Sequence, residues 1–155
     1  MELPVEKLLK EKGIRYRLIE LSQKAYTVED VVKYSGGDID PKEICKTIVL
    51  KGKKTGGKWA VLLRGEDRLD FSKAKEIFRE ALSIAGTEEV KEVGGVEPGA
   101  VCPFLLQVPL YVDRRVLELE KINCGSGNLL YGIEFRVEDL GRVVGYQVVD
   151  VAHRT

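Results

Sequence analysis

Apolar positions change their period from one segment to the next, and those changes lay out the elements of the chain. In PVEKLLKEKG, Pro4 opens a short helix whose Val5, Leu8 and Leu9 share one face, and Gly13 closes it. The run IRYRLIEL (14–21) shifts towards alternation and predicts a strand with one wet face. Thr27 stands where a cap belongs, ahead of Glu29 and Asp30, whose charges suit the positive end of a helix that Gly36 and Gly37 terminate. Asp40-Pro41 starts one further turn. ICKTIVLK (44–51) and KWAVLLRG (58–65) are β-rich, and GKKTGGK between them predicts a hairpin with a flexible tip.

Ser72 begins the clearest helical pattern, with Ala74, Ile77, Phe78, Ala81 and Leu82 spaced to face the core. TEEVKEVGG (87–95) predicts a short helix capped by Thr87 and stopped by Gly94-Gly95. PLYVDRRVLEL, KINCGSGN, YGIEFRVEDL and VVGYQVVDVA then predict mainly strands, with one or two helical turns. Helices and strands mix without strict βαβ alternation, and no linker, repeat or low-complexity stretch intervenes. The expectation is one mixed α/β domain over residues 1–155.

Charge and composition narrow the function. The 25 basic residues balance 25 acidic ones, which removes any blanket attraction to nucleic acid but leaves room for a local basic patch. No segment approaches the roughly 18 apolar residues of a membrane span. The start, MELPVEKLLKEKG, is charged and helical rather than a secretion signal, so a cytoplasmic protein with no membrane association is expected. Cys45, Cys102 and Cys124 are odd in number and form no Cys-x-x-Cys pair, which supports neither a disulfide framework nor a zinc site. His153, the only histidine, lies two residues from the end. A Cys–His or Ser–His pair would have to recruit that terminal residue, and an imidazole-based metal centre has a single ligand to draw on. Neither a metal nor a cofactor is expected.

Five stretches merit chemical scrutiny. GVEPGAVCPFLLQVP (95–109) is too broken for helix or strand and too apolar for an ordinary surface loop. Its Cys102 invites a nucleophile, but with no histidine nearby in sequence it reads better as a small wall residue. GSGN (125–128) lacks the spacing and following helix of a phosphate-binding loop. Lys46, where a helical turn gives way to an apolar strand, either snorkels to water or aims its ammonium into a pocket, there to polarise a carbonyl or hold an anion. Lys51, Lys53, Lys54 and Lys58 cluster about the hairpin tip, as a solvated face or as a mobile contact for a phosphate backbone. RGEDRLDF (64–71) mixes both signs and suits a salt-bridged turn as well as a site.

Taken in order, AYTVEDVVKYSG, ICKTIVLK, GEDRLDFSKAKE, GVEPGAVCPF, VPLYVDRRVLEL and GSGNLLYGIEFRVEDL resemble the YbaK family, the prolyl-tRNA synthetase-associated (INS-like) editing domains, over nearly the whole chain. The resemblance implies a curved, partly closed mixed sheet flanked by helices, with a pocket on one side. It implies hydrolysis of the ester of a mischarged aminoacyl-tRNA, most often a small amino acid (Ala, Cys or Ser) on tRNA-Pro. With no synthetase attached, the chain resembles free-standing, trans-acting members, and its expected partners are mischarged tRNA and an aminoacyl-tRNA synthetase.

On the same resemblance Lys46 is the functional lysine, followed by Thr47. The family's Gly-x-x-x-Pro loop falls on Gly99, Ala100, Val101, Cys102 and Pro103. Tyr26 and Thr27 match the pocket entrance, and Gly125, Ser126 and Asn128 form a further substrate-binding stretch. Many members carry a glycine pair with a basic residue or histidine at 125–128, and some an aspartate at Gly132, differences that bear on which amino acid is removed. An aminoacyl ester is already activated, so water or the neighbouring ribose hydroxyl completes the attack once geometry and charge are arranged. In that scheme Gly99 bares backbone N–H groups to the substrate carbonyl. Two other readings stay open: a non-catalytic tRNA-binding or synthetase-associated module of the same fold, and a small-molecule esterase.

Overall fold

The computed structural model describes residues 2–153. In chain order its elements are α1 (Pro4–Glu11), β1 (Tyr16–Glu20), α2 (Val28–Tyr34), β2 (Cys45–Gly52), β3 (Lys58–Arg64), α3 (Phe71–Phe78), β4 (Leu82–Ile84), α4 (Thr87–Gly94), β5 (Leu110–Asp113), β6 (Lys121–Gly125), β7 (Tyr131–Arg136), α5 (Leu140–Val143) and β8 (Gln147–Val149).

The strands form a five-stranded sheet in the order β4-β2-β3-β5-β8 and a three-stranded sheet in the order β1-β7-β6. In the larger sheet β2 runs antiparallel to β3 and β4, whereas β3–β5 and β5–β8 are parallel, so the sheet is mixed. The smaller sheet is antiparallel throughout. A parallel bridge between Ile44 and Asn123 joins the two at the start of β2. The curved mixed sheet implied by the family resemblance is thus two sheets meeting at one seam, and the candidate site lies along that seam.

β3 explains the core. Its run of Ala60, Val61, Leu62 and Leu63 is buried on both faces, as suits a central strand. Ala60 and Leu62 pack with Val112, Val116, Ile122, Ile133 and Leu140 between the sheets, while Val61 and Leu63 join Leu50, Ala74 and Val151 under α3. A third cluster, Ile19, Leu21, Ala25, Ile39 and Ile44, sits beneath α2.

Several expectations change at the level of single residues. α3 begins at Phe71 rather than Ser72 and is capped by Asp70, whose carboxylate accepts from the Ser72 and Lys73 N–H groups. The apolar period then overruns the helix. Arg79 takes a left-handed conformation (φ 62°) and ends it, so Ala81 is exposed, Leu82 belongs to β4, and Ile77 faces solvent. Gly86 rather than Thr87 occupies the cap position of α4, and its N–H donates to Glu89 Oε1 at 3.1 Å.

The hairpin tip is fastened rather than free. Glu80 Oε1 accepts from the Lys54 and Thr55 N–H groups, Glu80 Oε2 from the Thr55 hydroxyl, and the Lys53 N–H donates to the Ala81 carbonyl.

Candidate active site

A cavity of about 320 Å³ opens where the two sheets meet. Four segments wall it, and each is held for a local reason. The first leads into α2. Thr27 Oγ1 accepts from the Asp30 N–H at 3.1 Å, and the Asp30 carboxylate accepts from the Tyr26 N–H at 2.9 Å. This reciprocal cap fixes Tyr26, a wall residue still 56% exposed and therefore at the mouth.

The second wall is the start of β2. Cys45, Lys46 and Thr47 all reach the cavity. Lys46 is half-buried and its Nζ donates to the Gly65 carbonyl at 3.3 Å. An ammonium has three donors, so one such bond leaves others for a ligand. Burial pushes Lys46 below the ordinary lysine value, and Arg68 pushes the same way, while Asp67 and Glu29 oppose them. The turn that presents Gly65 is braced by Arg64, which grips Asp67 at 2.8 and 3.2 Å, and by the Gly65 N–H donating to Ile44. RGEDRLDF is therefore a salt-bridged turn, and it positions Lys46.

The third wall is the loop holding Pro98, Gly99 and Val101. A Cβ on Gly99 would stand 2.7 Å from Tyr26 Cα and 2.8 Å from its carbonyl oxygen. The side-chain-free position thus admits the opposite wall, a packing contact that adds to the backbone-baring role expected from the sequence. The fourth wall is the end of β6 with the following turn: Asn123, Cys124, Gly125, Asn128 and Leu129, then Tyr131 and Gly132. Gly125 abuts the Ala100 and Val101 backbone, so the loop is clamped between Tyr26 and β6.

Of the residues singled out from sequence, Tyr26, Thr27, Lys46, Thr47, Gly99, Val101, Gly125 and Asn128 come together around this cavity. Ala100, Pro103 and Ser126 do not line it. Ala100 is buried behind the wall with its carbonyl accepting from Gly127, and Pro103 is buried beyond it. The Ser126 hydroxyl is committed to the Tyr131 carbonyl at 2.6 Å and shapes the turn. Cys102 is buried off the wall, with its thiol pushed up to about 12 by burial. His153 lies beside Asp70 on the surface, so no imidazole activates a thiol.

The basic cluster divides. Lys51 and Lys58 both approach Glu89 (2.7 and 4.0 Å), whereas Lys53 and Lys54 are exposed at the tip. From Lys46 to Lys53 the strand climbs roughly 23 Å at its usual rise per residue. The tip is remote from the cavity.

Sequence reasoning missed Cys45, Glu29 and Gly65, and also Asn123 and Cys124, which reach the wall because β2 and β6 meet at the seam. Cys45 and Cys124 bring no ready thiolate, since burial raises Cys45 to about 12 and pushes the Cys124 thiol well above its ordinary value. Buried side-chain polar atoms without a hydrogen-bond partner, among the described residues, are Thr47 Oγ1, Asn123 Oδ1 and Arg115 Nη1. The first two belong to cavity-wall residues. Orphaned polar atoms are rare in folded proteins and mark places where a ligand or water completes the bonding. Among the described residues no His/Cys/Asp/Glu group has the arrangement of a metal site, and no helix is long and apolar enough to cross a membrane.

A model of the aminoacyl-tRNA editing domain matches residues 22–143. The chain is 33% identical over 109 residues to a proline–tRNA ligase of Shouchella clausii, and 38% identical over 102 residues to that of Persephonella marina. Those stretches are 69% and 64% of this chain but only 19% and 17% of the ligases, so the chain spans about a fifth of these relatives. Among solved structures, that of a hypothetical protein aligns with a TM-score of 0.85 at 30% identity, over 96% of this chain and 99% of the other. A candidate trans-editing enzyme for prolyl tRNA synthetase aligns with a TM-score of 0.82 at 26% identity, over 97% and 95% of the two chains.

Proposed function

The chain belongs to the aminoacyl-tRNA editing domain family, and from that premise we propose that it is an aminoacyl-tRNA deacylase acting in trans in the cytoplasm. Its substrate on this reading is a small amino acid, Ala, Cys or Ser, misplaced on tRNA-Pro, and residues 1–155 act as one unit. The end-to-end likeness to a candidate trans-editing enzyme supports the trans-acting part.

One observation carries the reading: a desolvated lysine ammonium, Lys46, held by the Gly65 carbonyl on the wall of a cavity large enough for an aminoacyl group. It supplies a compact positive charge for the carbonyl oxygen or the terminal phosphate. The thiols on the wall are protonated, so the attacking atom is the oxygen of water, with the neighbouring ribose hydroxyl placed to take part in its proton transfer. In the hydrolytic route water bonds to the carbonyl carbon, the carbon–oxygen bond to the ribose breaks, and the released ribose oxygen takes up the proton. Walls supplied by Ile19, Ile39 and Gly132 bound the space by size. Size alone separates single methylenes by only about 1–3 kcal/mol, which gives a separate editing step its use. Lys53 and Lys54, remote from the cavity, serve on this reading as contacts to the tRNA backbone.

The test is a panel of tRNA-Pro charged with Ala, Cys, Ser or Pro, assayed for loss of the ester. Ester loss from a small mischarged amino acid, sparing Pro-tRNA-Pro, supports the proposal. Binding of tRNA without ester loss replaces it with a non-catalytic module.

A further inference from the structure

Asn123 is a polar residue in an otherwise largely apolar part of the cavity wall, 3% exposed, at the seam where β6 meets Ile44. Its carboxamide orientation is dictated from behind. Nδ2 donates to Glu134 Oε2 at 3.2 Å, and Glu134 is itself gripped by Arg17 at 3.1 Å (Nε to Oε1) and 3.0 Å (Nη2 to Oε2). Arg17 is anchored in turn by Asp38. The reverse amide orientation would set Oδ1 against the Glu134 carboxylate, acceptor against acceptor, so the buried carboxylate fixes Oδ1 as the atom left over. That Oδ1 has no partner in the protein and almost no accessible surface, so a donor reaches it by a small opening of the wall at the seam. A carboxylate behind the amide also polarises it and strengthens Oδ1 as an acceptor. What such an atom selects is a donor, and a cationic donor most strongly.

Resting on the deacylase reading for the identity of the ligand, we infer that Asn123 Oδ1 accepts a hydrogen bond from the α-ammonium of the aminoacyl group, so that the site reads a free amino group and rejects N-blocked esters. Arg17 and Glu134 are then positioning residues, acting through the amide they orient. The substrate class narrows accordingly: aminoacyl esters with an unmodified α-amine enter, while N-acylated and peptidyl esters leave the amide unpaired and crowd the seam.

Two measurements test this. The first is affinity, by calorimetry, for alanine joined by a non-hydrolysable amide to the 3′ position of adenosine, against its N-acetyl form. Wild type is expected to favour the free amine by roughly 10- to 100-fold, the range of one hydrogen bond to a charged group. Asn123→Leu, similar in size without the acceptor, is expected to lose that preference while binding the N-acetyl form as before. A merely structural role for Asn123 would weaken both ligands together. Equal affinity of wild type for the two ligands overturns the inference without any variant, and so does a preference that survives in a folded Asn123→Leu. The second is turnover of Ala-tRNA by the same wild-type protein. Absent turnover with intact amine preference sinks the deacylase reading alone. Turnover without amine preference sinks this inference alone.

Discussion

Substituting alanine at Gly99 adds one methyl group at the tightest contact between two walls of the cavity. The new Cβ would sit 2.7 Å from Tyr26 Cα, 2.8 Å from its carbonyl oxygen and 3.0 Å from its carbonyl carbon. Ordinary carbon–carbon contact is about 3.5–4.0 Å, so the walls must part by roughly 1 Å. All three clashing atoms are backbone, and the Tyr26 segment is braced by the Thr27–Asp30 cap, so no flexible side chain can swing away. Overpacking of this kind costs about 1–3 kcal/mol. For a chain of this size that lowers the melting temperature by roughly 2–12 °C. Turnover suffers more, because a displacement near 1 Å in a positioned site costs on the order of 100-fold. The assay pairs thermal unfolding with deacylation of mischarged tRNA. Gly132→Ala is the control: its Cβ would meet Cys124 and Ile19 at 3.7 Å, ordinary contact, so the fold should hold. A Gly99→Ala protein with wild-type melting and wild-type turnover would refute the steric argument.

Lys46→Met should cut turnover roughly 100- to 1,000-fold with the fold retained, since it removes one electrostatic contact to the reacting group. Because Lys46 titrates below the ordinary lysine value, wild-type turnover, corrected for spontaneous hydrolysis, should fall as pH rises through that lowered value. The linked stability runs the other way. Between the lowered folded value and the unfolded one the unfolded chain binds more protons, so wild type gains stability with rising pH in that window and Lys46→Met does not, as paired melting curves will read. Cys102→Ala should keep full activity, because its thiol is protonated and off the wall, and insensitivity of wild type to thiol reagents at that position checks the same point. Neutralising Lys53 and Lys54 together should weaken tRNA binding and reduce its salt slope by about 1.4–1.8 while leaving turnover of a bare aminoacyl-adenosine unchanged. An unchanged slope would remove the tip from the interface.

The sequence carried the parts of this fold that are local. Thr27 as a cap, the Asp40-Pro41 turn and the β2–β3 hairpin are properties of short segments, and all three stand in the structure. Lys46 was legible because a cation at the edge of an apolar strand is locally conspicuous. The overrun of α3 was not legible, since the residue that ends it is an arginine in a left-handed conformation usually taken by glycine. Asn123 was hidden for a different reason. Nothing in KINCGSGN says that its asparagine meets Ile44 across the seam, or that Glu134 turns its amide, because both facts depend on strand register. Gly99 was legible as a position that needs a bare backbone, but its tight approach to Tyr26 was not, because the two are far apart in sequence.

On the proposed reading this cavity removes small amino acids from tRNA-Pro with Lys46 as the essential charge. Ester loss from Ala-, Cys- and Ser-charged tRNA-Pro, measured side by side for wild type and Lys46→Ala, tests it most directly. Wild type should clear at least one of these, and the folded variant should run at near-background rates. Intact ester with wild type, or equal clearance by the two proteins, would contradict it.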